Sequence, residues 1–193
     1  MLSLKNSLAV LKKTDALLEG HFVLSSGLHS PQYVQCAKLL SKPNQAKKFI
    51  SSLASKIKRN IRSFDIILSP AMGGVIIGYE IGRLLKKETI FCERVDKKFR
   101  LRRGFYIKKN TKVLIIEDVI TTGKSSLECV KLIKKFGGKF VGIACLIDRS
   151  KNSLISKKII SQVKLDIPVF KKNELPNNLK SIQITKPGSR YLR

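Results

Sequence analysis

One run of thirteen residues, 113–125, constrains the fold more than any other part of the chain. It begins with four apolar residues, 113–116, which predict a strand buried on both faces of a parallel sheet. Two adjacent carboxylates, Glu117 and Asp118, follow at the expected carboxyl end of that strand. The run then continues through Val119, Ile120, Thr121, Thr122, Gly123, Lys124 and Ser125 into an amphipathic segment.

The loop at 121–125 has the composition of a phosphate site. Small and hydroxyl-bearing residues at the start of a helix offer a phosphate backbone N–H groups, hydroxyls and a positive dipole end. In open α/β sheets, ligands bind outside the carboxyl ends of the strands. Glu117 and Asp118 would repel a phosphate, so we expect the ligand to carry hydroxyl donors as well, as a ribose cis-diol does. The run therefore predicts a pocket for a sugar phosphate.

Two other interpretations account for less of the run. Its end, Gly123-Lys124-Ser125, matches the end of a P-loop, but that motif requires Gly where this chain has Asp118. A buried strand followed by an N-capped helix explains the loop. This interpretation does not explain why two consecutive acids stand at a buried strand end, where unpaired charge is unfavourable.

A second turn of the same kind is expected after the predicted strand at 65–68. Residues 69–74 are Ser-Pro-Ala-Met-Gly-Gly, and an apolar helix follows them. Glycine at this point is equally explained by close packing of helix on strand. Two phosphate-type turns in one sheet would suit a ligand with two phosphate groups.

The remaining pattern predicts an α/β fold: a doubly wound, mostly parallel sheet flanked by helices. We expect a helix at 2–18, a hairpin with strands at 21–24 and 32–37, and a helix from Pro43 to about Ile61. Further strands are expected at 65–68, 89–93, 113–116 and 140–147, in that order. The tail is less regular, with an edge strand within 159–170 and a short helix at 174–180.

The run at 113–125 resembles the phosphoribosyl pyrophosphate (PRPP) motif of type I phosphoribosyltransferases: an apolar strand, two acids and a T-T-G-type loop. Other segments resemble the orotate phosphoribosyltransferases in their shorter bacterial and archaeal form. These segments are the N-terminal hood at 18–27 with Ser30 and Pro31, Glu93-Arg94 with 101–105, Asp148-Arg149, and 186–190. The resemblance spans about residues 10–190.

The resemblance implies transfer of the 5-phosphoribosyl group from PRPP to N1 of orotate, giving orotidine 5′-phosphate and pyrophosphate in pyrimidine (UMP) biosynthesis. It implies Mg²⁺ carried by PRPP rather than by protein ligands. It implies one domain, 1–193, with a hood of about 1–40 plus the tail and a core of about 43–150. An intertwined homodimer that shares the 94–104 loop between subunits is also expected.

The resemblance assigns roles to particular residues. PRPP would be bound by Arg94, Lys98, Glu117, Asp118, Val119, Ile120, Thr121, Thr122, Gly123, Lys124 and Ser125. Orotate would be bound by Tyr33, Val34, Thr121 and Arg149. The pyrophosphate loop would be Ala71, Met72, Gly73 and Gly74. The catalytic residues would be Lys98, Arg100 and Asp118, with the basic loop at 94–103 closing over the pyrophosphate.

This chain departs from the family pattern in three places. It has Ser25 and Gly73 where longer members have Lys. Arg94 is followed by Val95 rather than Lys, so Lys98 aligns best with the catalytic Lys, although Arg100, Arg102 or Arg103 could replace it. The same loop is otherwise explained as a solvated charged hairpin.

The net charge of +26 raises the alternative of a PRPP-sensing regulator that binds nucleic acid. The lysines are spread along the chain, no DNA-binding domain is visible, and no specific nucleic-acid partner is expected. A purine-base phosphoribosyltransferase is a further alternative, which the hood and Arg149 argue against. Four cysteines without C-x-x-C spacing predict reduced, mostly buried thiols in a cytoplasmic protein. No signal peptide, membrane span or zinc site is expected either.

Overall fold

The computed structural model describes residues 1–24, 26–150 and 159–187. Numbered in chain order, its elements are α1 (Leu4–Lys13), β1 (Leu17–Val23), β2 (His29–Val34), α2 (Cys36–Leu40), α3 (Pro43–Asn60), β3 (Ile66–Pro70), α4 (Gly73–Leu85), β4 (Glu88–Val95), β5 (Lys98–Leu101), β6 (Lys112–Ile120), α5 (Lys124–Lys135), β7 (Lys139–Asp148), β8 (Ile159–Lys164), a 3-10 helix (Lys172–Glu174), α6 (Asn177–Lys180) and β9 (Ile184–Thr185).

A six-stranded sheet in the order β5-β4-β3-β6-β7-β8 forms the centre of the molecule. All its pairs are parallel except β4–β5. Apolar residues cover both faces: one cluster joins the sheet to α3 and α4, and the other joins it to α5. The predicted doubly wound, mostly parallel sheet is confirmed.

The strand order differs from the expected sequential one, because β4 lies outside β3 and β6 lies on the other side of β3. After β3 the chain crosses through α4 to β4 and then returns past β3 to form β6. The direction of winding therefore reverses between β3 and β6. Such a switch point leaves a crevice at the carboxyl ends of the two strands, where ligands bind in open α/β sheets.

Helix α4 packs unusually close to this sheet, because one of its stripes consists of Gly74, Gly78 and Gly82. A Cβ atom at Gly78 would overlap Ser69 Oγ, and one at Gly82 would overlap Thr89 Oγ1. The close-packing explanation for glycine therefore applies to Gly74 too, where a Cβ atom would lie 2.9 Å from the backbone oxygen of Ile116. The opposite stripe of α4 carries the exposed side chains of Ile76 and Tyr79.

The N-terminal strands β1 and β2 and the tail strand β9 form a separate three-stranded sheet, β2-β1-β9. The predicted helix at 2–18 is wrong in its second half: α1 ends at Lys13, and Leu17 and Leu18 belong to β1. Asp15 has a φ of 57° and ends the helical turn. Leu17 is buried in the core in the strand conformation, so tertiary packing overrides the helical spacing.

Several element boundaries also move. The tail forms β8 and a bridge between His29 and Phe170, whereas the helix expected at 174–180 covers only Asn177–Lys180. Residues 25, 151–158 and 188–193 lie outside the described residues, so the predictions on Ser25 and on Gly188, Ser189 and Arg190 stay predictions. All four cysteines are buried free thiols. Within the described ranges, no helix has the length and apolarity needed to cross a bilayer.

Candidate active site

The two acids of the central run lie at the switch point, but they are inside a strand and not at its end. Strand β6 continues to Ile120 because it pairs with β7 as far as Asp148. The carboxylate of Asp118 reaches across to the turn after β3, where a Cβ atom at Gly73 would overlap it. The missing side chain at Gly73, one of the departures from the family pattern, therefore makes room for Asp118.

Glu117 is buried, and its surroundings disfavour its charge. Burial raises its pKa to about 8, and the neighbouring Asp118 raises it as well, whereas a hydrogen bond from Ser126 Oγ at 3.3 Å and the charge of Arg94 lower it. The pKa of Asp118 is also raised by burial, despite its hydrogen bond from the Val119 N–H. A ligand that brings hydroxyl donors or positive charge would relieve both carboxyl groups.

The expected phosphate loop lies directly after this strand. Gly123 adopts a left-handed φ of 72°, and α5 begins at the next residue. The side chains of Thr121 and Thr122 are exposed and Ser125 is half-buried. The first turn of α5 thus presents its N-terminus and these hydroxyls beside the two carboxylates, which is an arrangement suited to a phosphorylated sugar.

Arg149 follows β7 and is tied to the start of the same loop. Its backbone N–H donates to the oxygen of Ile120 at 2.8 Å, which brings Arg149 beside Thr121. Burial lowers the pKa of its guanidinium, and Tyr33 raises it. Among the described residues its Nε atom, although buried, has no hydrogen-bond partner. An unpaired, partly desolvated guanidinium is a strong candidate for binding an anion.

The hood brings Tyr33 to this site. Burial raises the pKa of Tyr33 and the charge of Arg149 lowers it, so the two side chains lie within electrostatic reach. Val34 alternates with Tyr33 along β2, and its side chain packs into the core. The hood packs into the core through Leu17 and Val34, and Cys36 Sγ, at the start of α2, donates weakly to the backbone oxygen of Asp118 at 3.6 Å.

The segment expected as a mobile basic loop is a regular hairpin. Strands β4 and β5 pair from Cys92–Leu101 to Val95–Lys98, around a two-residue turn in which Asp96 and Lys97 both have positive φ. Such a turn matches the twist of the strands it joins. The structure therefore gives this segment a hairpin conformation, and its closure over the pyrophosphate stays a prediction.

The basic residues of the hairpin divide into two groups. Three arginines are paired with acids: Arg94 with Glu128, Arg100 with Asp96 and Arg103 with Glu93. Lys97, Lys98 and Arg102 are exposed and have no ion pair among the described residues. No described contact joins Lys98 or Arg100 to the phosphate loop. The structure places Glu117, Asp118, the loop at 121–125, Arg149 and Tyr33 near one another, but not Lys98 or Arg100, and it buries the Val34 side chain in the core.

The other turn, at residues 71–74, completes the crevice. Its first residue is fixed because the Ala71 N–H donates to the oxygen of Cys92 at 2.8 Å. The peptide between Ala71 and Met72 is cis, and the Met72 side chain is exposed. Gly73 and Gly74 start α4, so a second helix N-terminus faces the crevice opposite α5.

Two residues at the site were not identified from the sequence. Cys36 supports Asp118, and Glu128 pairs with Arg94 across 34 positions of the chain. Glu128 lies one helical turn after Ser125, a spacing that places it near the loop. Nothing in the sequence marks Arg94 as its partner.

Known proteins similar to this chain belong to the family that the sequence resembles. Residues 37–176 match the model of a family described as phosphoribosyl transferase domain. A curated orotate phosphoribosyltransferase from Erythrobacter litoralis (strain HTCC2594) is 46% identical over 185 residues, which are 95% of this chain and 96% of the relative.

Solved structures resemble the fold. A crystal structure of orotate phosphoribosyltransferase from Aeropyrum pernix matches with a TM-score of 0.70 and 24% identity, over 81% of this chain and 92% of the other. An adenine phosphoribosyltransferase from Thermoanaerobacter pseudethanolicus matches with a TM-score of 0.60 and 18% identity, over 69% and 88% of the two chains.

Proposed function

The chain belongs to the phosphoribosyltransferase family, and on that premise we propose that it is an orotate phosphoribosyltransferase of pyrimidine biosynthesis. It transfers the 5-phosphoribosyl group of PRPP to N1 of orotate and releases orotidine 5′-phosphate and pyrophosphate. The 46% identity to a curated enzyme of that name, over nearly the whole of both chains, supports this activity.

The structural observation behind the choice of base is Arg149. Its backbone is bonded to Ile120, next to Thr121, its charge acts on Tyr33, and its buried Nε atom has no described hydrogen-bond partner. Orotate carries a carboxylate, which can accept parallel hydrogen bonds from a guanidinium. Adenine, guanine and hypoxanthine carry no anionic group, so they would leave this cation unpaired and partly desolvated.

The phosphoribosyl donor fits the other side of the crevice. The loop at 121–125 binds the 5′-phosphate through backbone N–H groups and hydroxyls. The turn at 71–74 binds the pyrophosphate. Glu117 and Asp118 accept hydrogen bonds from the two ribose hydroxyls. As the bond from C1 to pyrophosphate loosens, positive charge develops on the ribose, and these carboxylates stabilise it.

Mg²⁺ fits this donor set as a partner of the substrate. The crevice holds two carboxyl groups whose pKa values are raised by burial, so a cation bound beside them would favour their charged form. Mg²⁺ keeps several waters and binds substrate phosphates with few protein ligands. When bound, it neutralises part of the pyrophosphate charge. Glu117 and Asp118 are the residues that would face it.

The leaving pyrophosphate needs cations of the protein as well. Lys98 has no described ion pair, whereas Arg100 is within 3.7 Å of Asp96. Because Lys98 is not engaged in a described ion pair, it is the better candidate to neutralise the developing charge, and Arg100 has a secondary role. The β4–β5 hairpin places both residues on one short strand, so small movements of the hairpin would carry them together.

A homodimer in the cytoplasm is part of the proposal. Ile76 and Tyr79 on the outer side of α4, together with Met72 of the turn before it, are exposed apolar side chains. Contiguous exposed apolar side chains commonly mark protein interfaces. We expect sedimentation to give a dimer, and Ile76→Glu to give a monomer. A wild-type monomer with full activity would contradict this part.

The deciding assay mixes the purified protein, PRPP and Mg²⁺ with orotate, uracil, adenine, hypoxanthine or guanine in separate reactions. We expect orotate alone to be consumed. Consumption of a purine would leave the PRPP site in place and refute the role of Arg149. If PRPP binds without turnover of any base, the regulator becomes the better hypothesis, and nucleic-acid binding across a salt series would test it.

A further inference from the structure

Arg94 is fixed on four sides. Its Nη1 atom donates to Glu128 Oε2 and to the Lys97 backbone oxygen, both at 2.8 Å. Its Nη2 atom lies 3.5 Å from Ser125 Oγ in the phosphate loop. The guanidinium also lies over the ring of Phe99, 4.1 Å from its centroid. A cation held in this way faces one direction, as a preorganised binding group does.

One arm of the Arg94 guanidinium, Nη2, remains largely available and faces the phosphate loop. Both hydrogens of Nη1 are used by Glu128 and Lys97, whereas Nη2 makes only a long contact with the Ser125 hydroxyl. A guanidinium has five N–H donors in a rigid fork, so fixing one arm sets the direction of the others. Here the second arm points toward the first turn of α5.

The Arg94–Glu128 pair differs from the other ion pairs of the hairpin. Arg100 pairs with Asp96 and Arg103 pairs with Glu93, so both of those pairs lie within residues 93–103, the hairpin and the two residues after it. Glu128 belongs to α5 and connects the hairpin to the helix that begins at the phosphate loop. The side chains are only partly exposed, 40% for Arg94 and 26% for Glu128.

We propose that Glu128 is a positioning residue, which holds Arg94 of the same chain against the loop at 121–125 so that the guanidinium binds the 5′-phosphate of PRPP. The inference rests on the proposed function for the identity of the phosphate. It assigns Arg94 to the 5′-phosphate, in place of the pyrophosphate role expected for the basic loop. It also makes the hairpin and the loop one unit.

A purely structural ion pair would behave differently. Exposed ion pairs contribute little to stability, and removing one has little effect on a ligand that the pair does not orient. A positioning role requires that the effect of Glu128 on ligand binding pass through Arg94. It also requires that the effect be confined to the phosphate that Arg94 faces.

The test is calorimetric titration of the purified protein with ribose 5-phosphate and, separately, with inorganic pyrophosphate and Mg²⁺. The variants are Arg94→Met, Glu128→Ala, Glu128→Gln and the double variant Arg94→Met/Glu128→Ala. We expect Arg94→Met to weaken ribose 5-phosphate binding roughly tenfold, since a charged hydrogen bond is lost, and Glu128→Ala to weaken it roughly threefold to tenfold. Glu128→Gln keeps an acceptor oxygen and should lie between the wild type and Glu128→Ala.

The double variant separates the two explanations. If Glu128 acts through Arg94, adding Glu128→Ala to Arg94→Met changes ribose 5-phosphate binding no further. Pyrophosphate binding should stay within about twofold of wild type in all four variants. Glu19→Ala is the matched control: it removes an ion pair of the same 2.8 Å length, with Lys12 on the hood, and should change neither affinity.

Three results would overturn the inference: ribose 5-phosphate affinity unaffected by Glu128→Ala, losses that add in the double variant, or a loss confined to pyrophosphate. Absence of ribose 5-phosphate binding by the wild type would overturn it too. If the wild type binds ribose 5-phosphate with this dependence on Glu128 but does not consume orotate, the proposed function fails and the positioning role stands.

Discussion

Replacing Arg149 with methionine should have opposite effects on activity and on stability. In the proposed complex the guanidinium makes charged hydrogen bonds with the orotate carboxylate. Losing a bidentate pair of this kind removes about 3 kcal/mol, so kcat/KM for orotate should fall roughly 10²-fold. The KM for PRPP should change little, because Arg149 is assigned to the base and not to the sugar phosphate.

The free protein should become more stable in the same variant. Arg149 Nε is buried without a described partner, and burial lowers the pKa of the guanidinium, so the folded chain carries an uncompensated polar group. Methionine keeps most of the side-chain volume without this group. Because Arg149 is only partly buried, we expect the lower end of the usual range, a gain of about 1 kcal/mol. For a chain of this length that raises Tm by about 2–4 °C.

Steady-state kinetics with orotate and calorimetric unfolding of the ligand-free protein measure the two effects. The exposed Arg62 supplies a matched control, and Arg62→Met should change neither quantity. Unchanged kcat/KM for orotate would refute the assignment of Arg149 to the base. A Tm lowered by several degrees would refute the reasoning about the unpaired Nε, because it would mean that the guanidinium already has a stabilising partner in the free protein.

Three further predictions concern Glu117, His29 and Gly78. The folded-state pKa of Glu117, about 8, lies above its ordinary value of 4.5, so its contribution to stability is lost as pH rises through that interval. The free energy of unfolding of Glu117→Gln, measured across this pH range, should therefore increase relative to that of the wild type as pH rises. If the two proteins show the same dependence on pH, the prediction is wrong. Burial lowers the pKa of His29 below 6.5, and His29 shares a 2.7 Å hydrogen bond with His21. The free energy of unfolding of the wild type should therefore fall as pH falls below about 6.5, and that of His29→Gln should fall less steeply. Gly78→Ala should lower the free energy of unfolding by about 1–3 kcal/mol, because the new Cβ atom overlaps Ser69 Oγ; Ser69→Ala should restore part of this loss, and an additive double variant would refute the packing argument.

The sequence was sufficient to predict the parts of the fold that depend on local pattern. The helix Pro43–Asn60 follows from its apolar spacing, and the strand beginning at Lys112 follows from its unbroken apolar run. The hood hairpin follows from two extended runs around a Ser/Gly loop. The expected helix at 2–18 extended too far, because leucines at helical spacing can also be buried from a strand, and only the core decides between the two.

The candidate site likewise has a part that the sequence predicts and a part that only the fold creates. The acids, the phosphate loop and Arg149 were recognisable because their residue types and order form a local motif that the resemblance covers. The Arg94–Glu128 pair, the support of Asp118 by Cys36 and the burial of Val34 depend on which elements become neighbours. The partners in the two pairs lie 34 and 82 positions apart along the chain, and no local spacing encodes such a contact.

What the sequence by itself determined is the set of chemical groups: two acids after an apolar strand, a hydroxyl-rich loop, a Gly-rich turn and an arginine at a strand end. The tertiary structure decided how they meet. The reversal of winding between β3 and β6 brings Gly73 against Asp118, and the pairing of β6 with β7 brings Arg149 beside Thr121. Strand order and register arise from packing the whole sheet between its helices, so they follow from contacts between distant segments and not from any single motif.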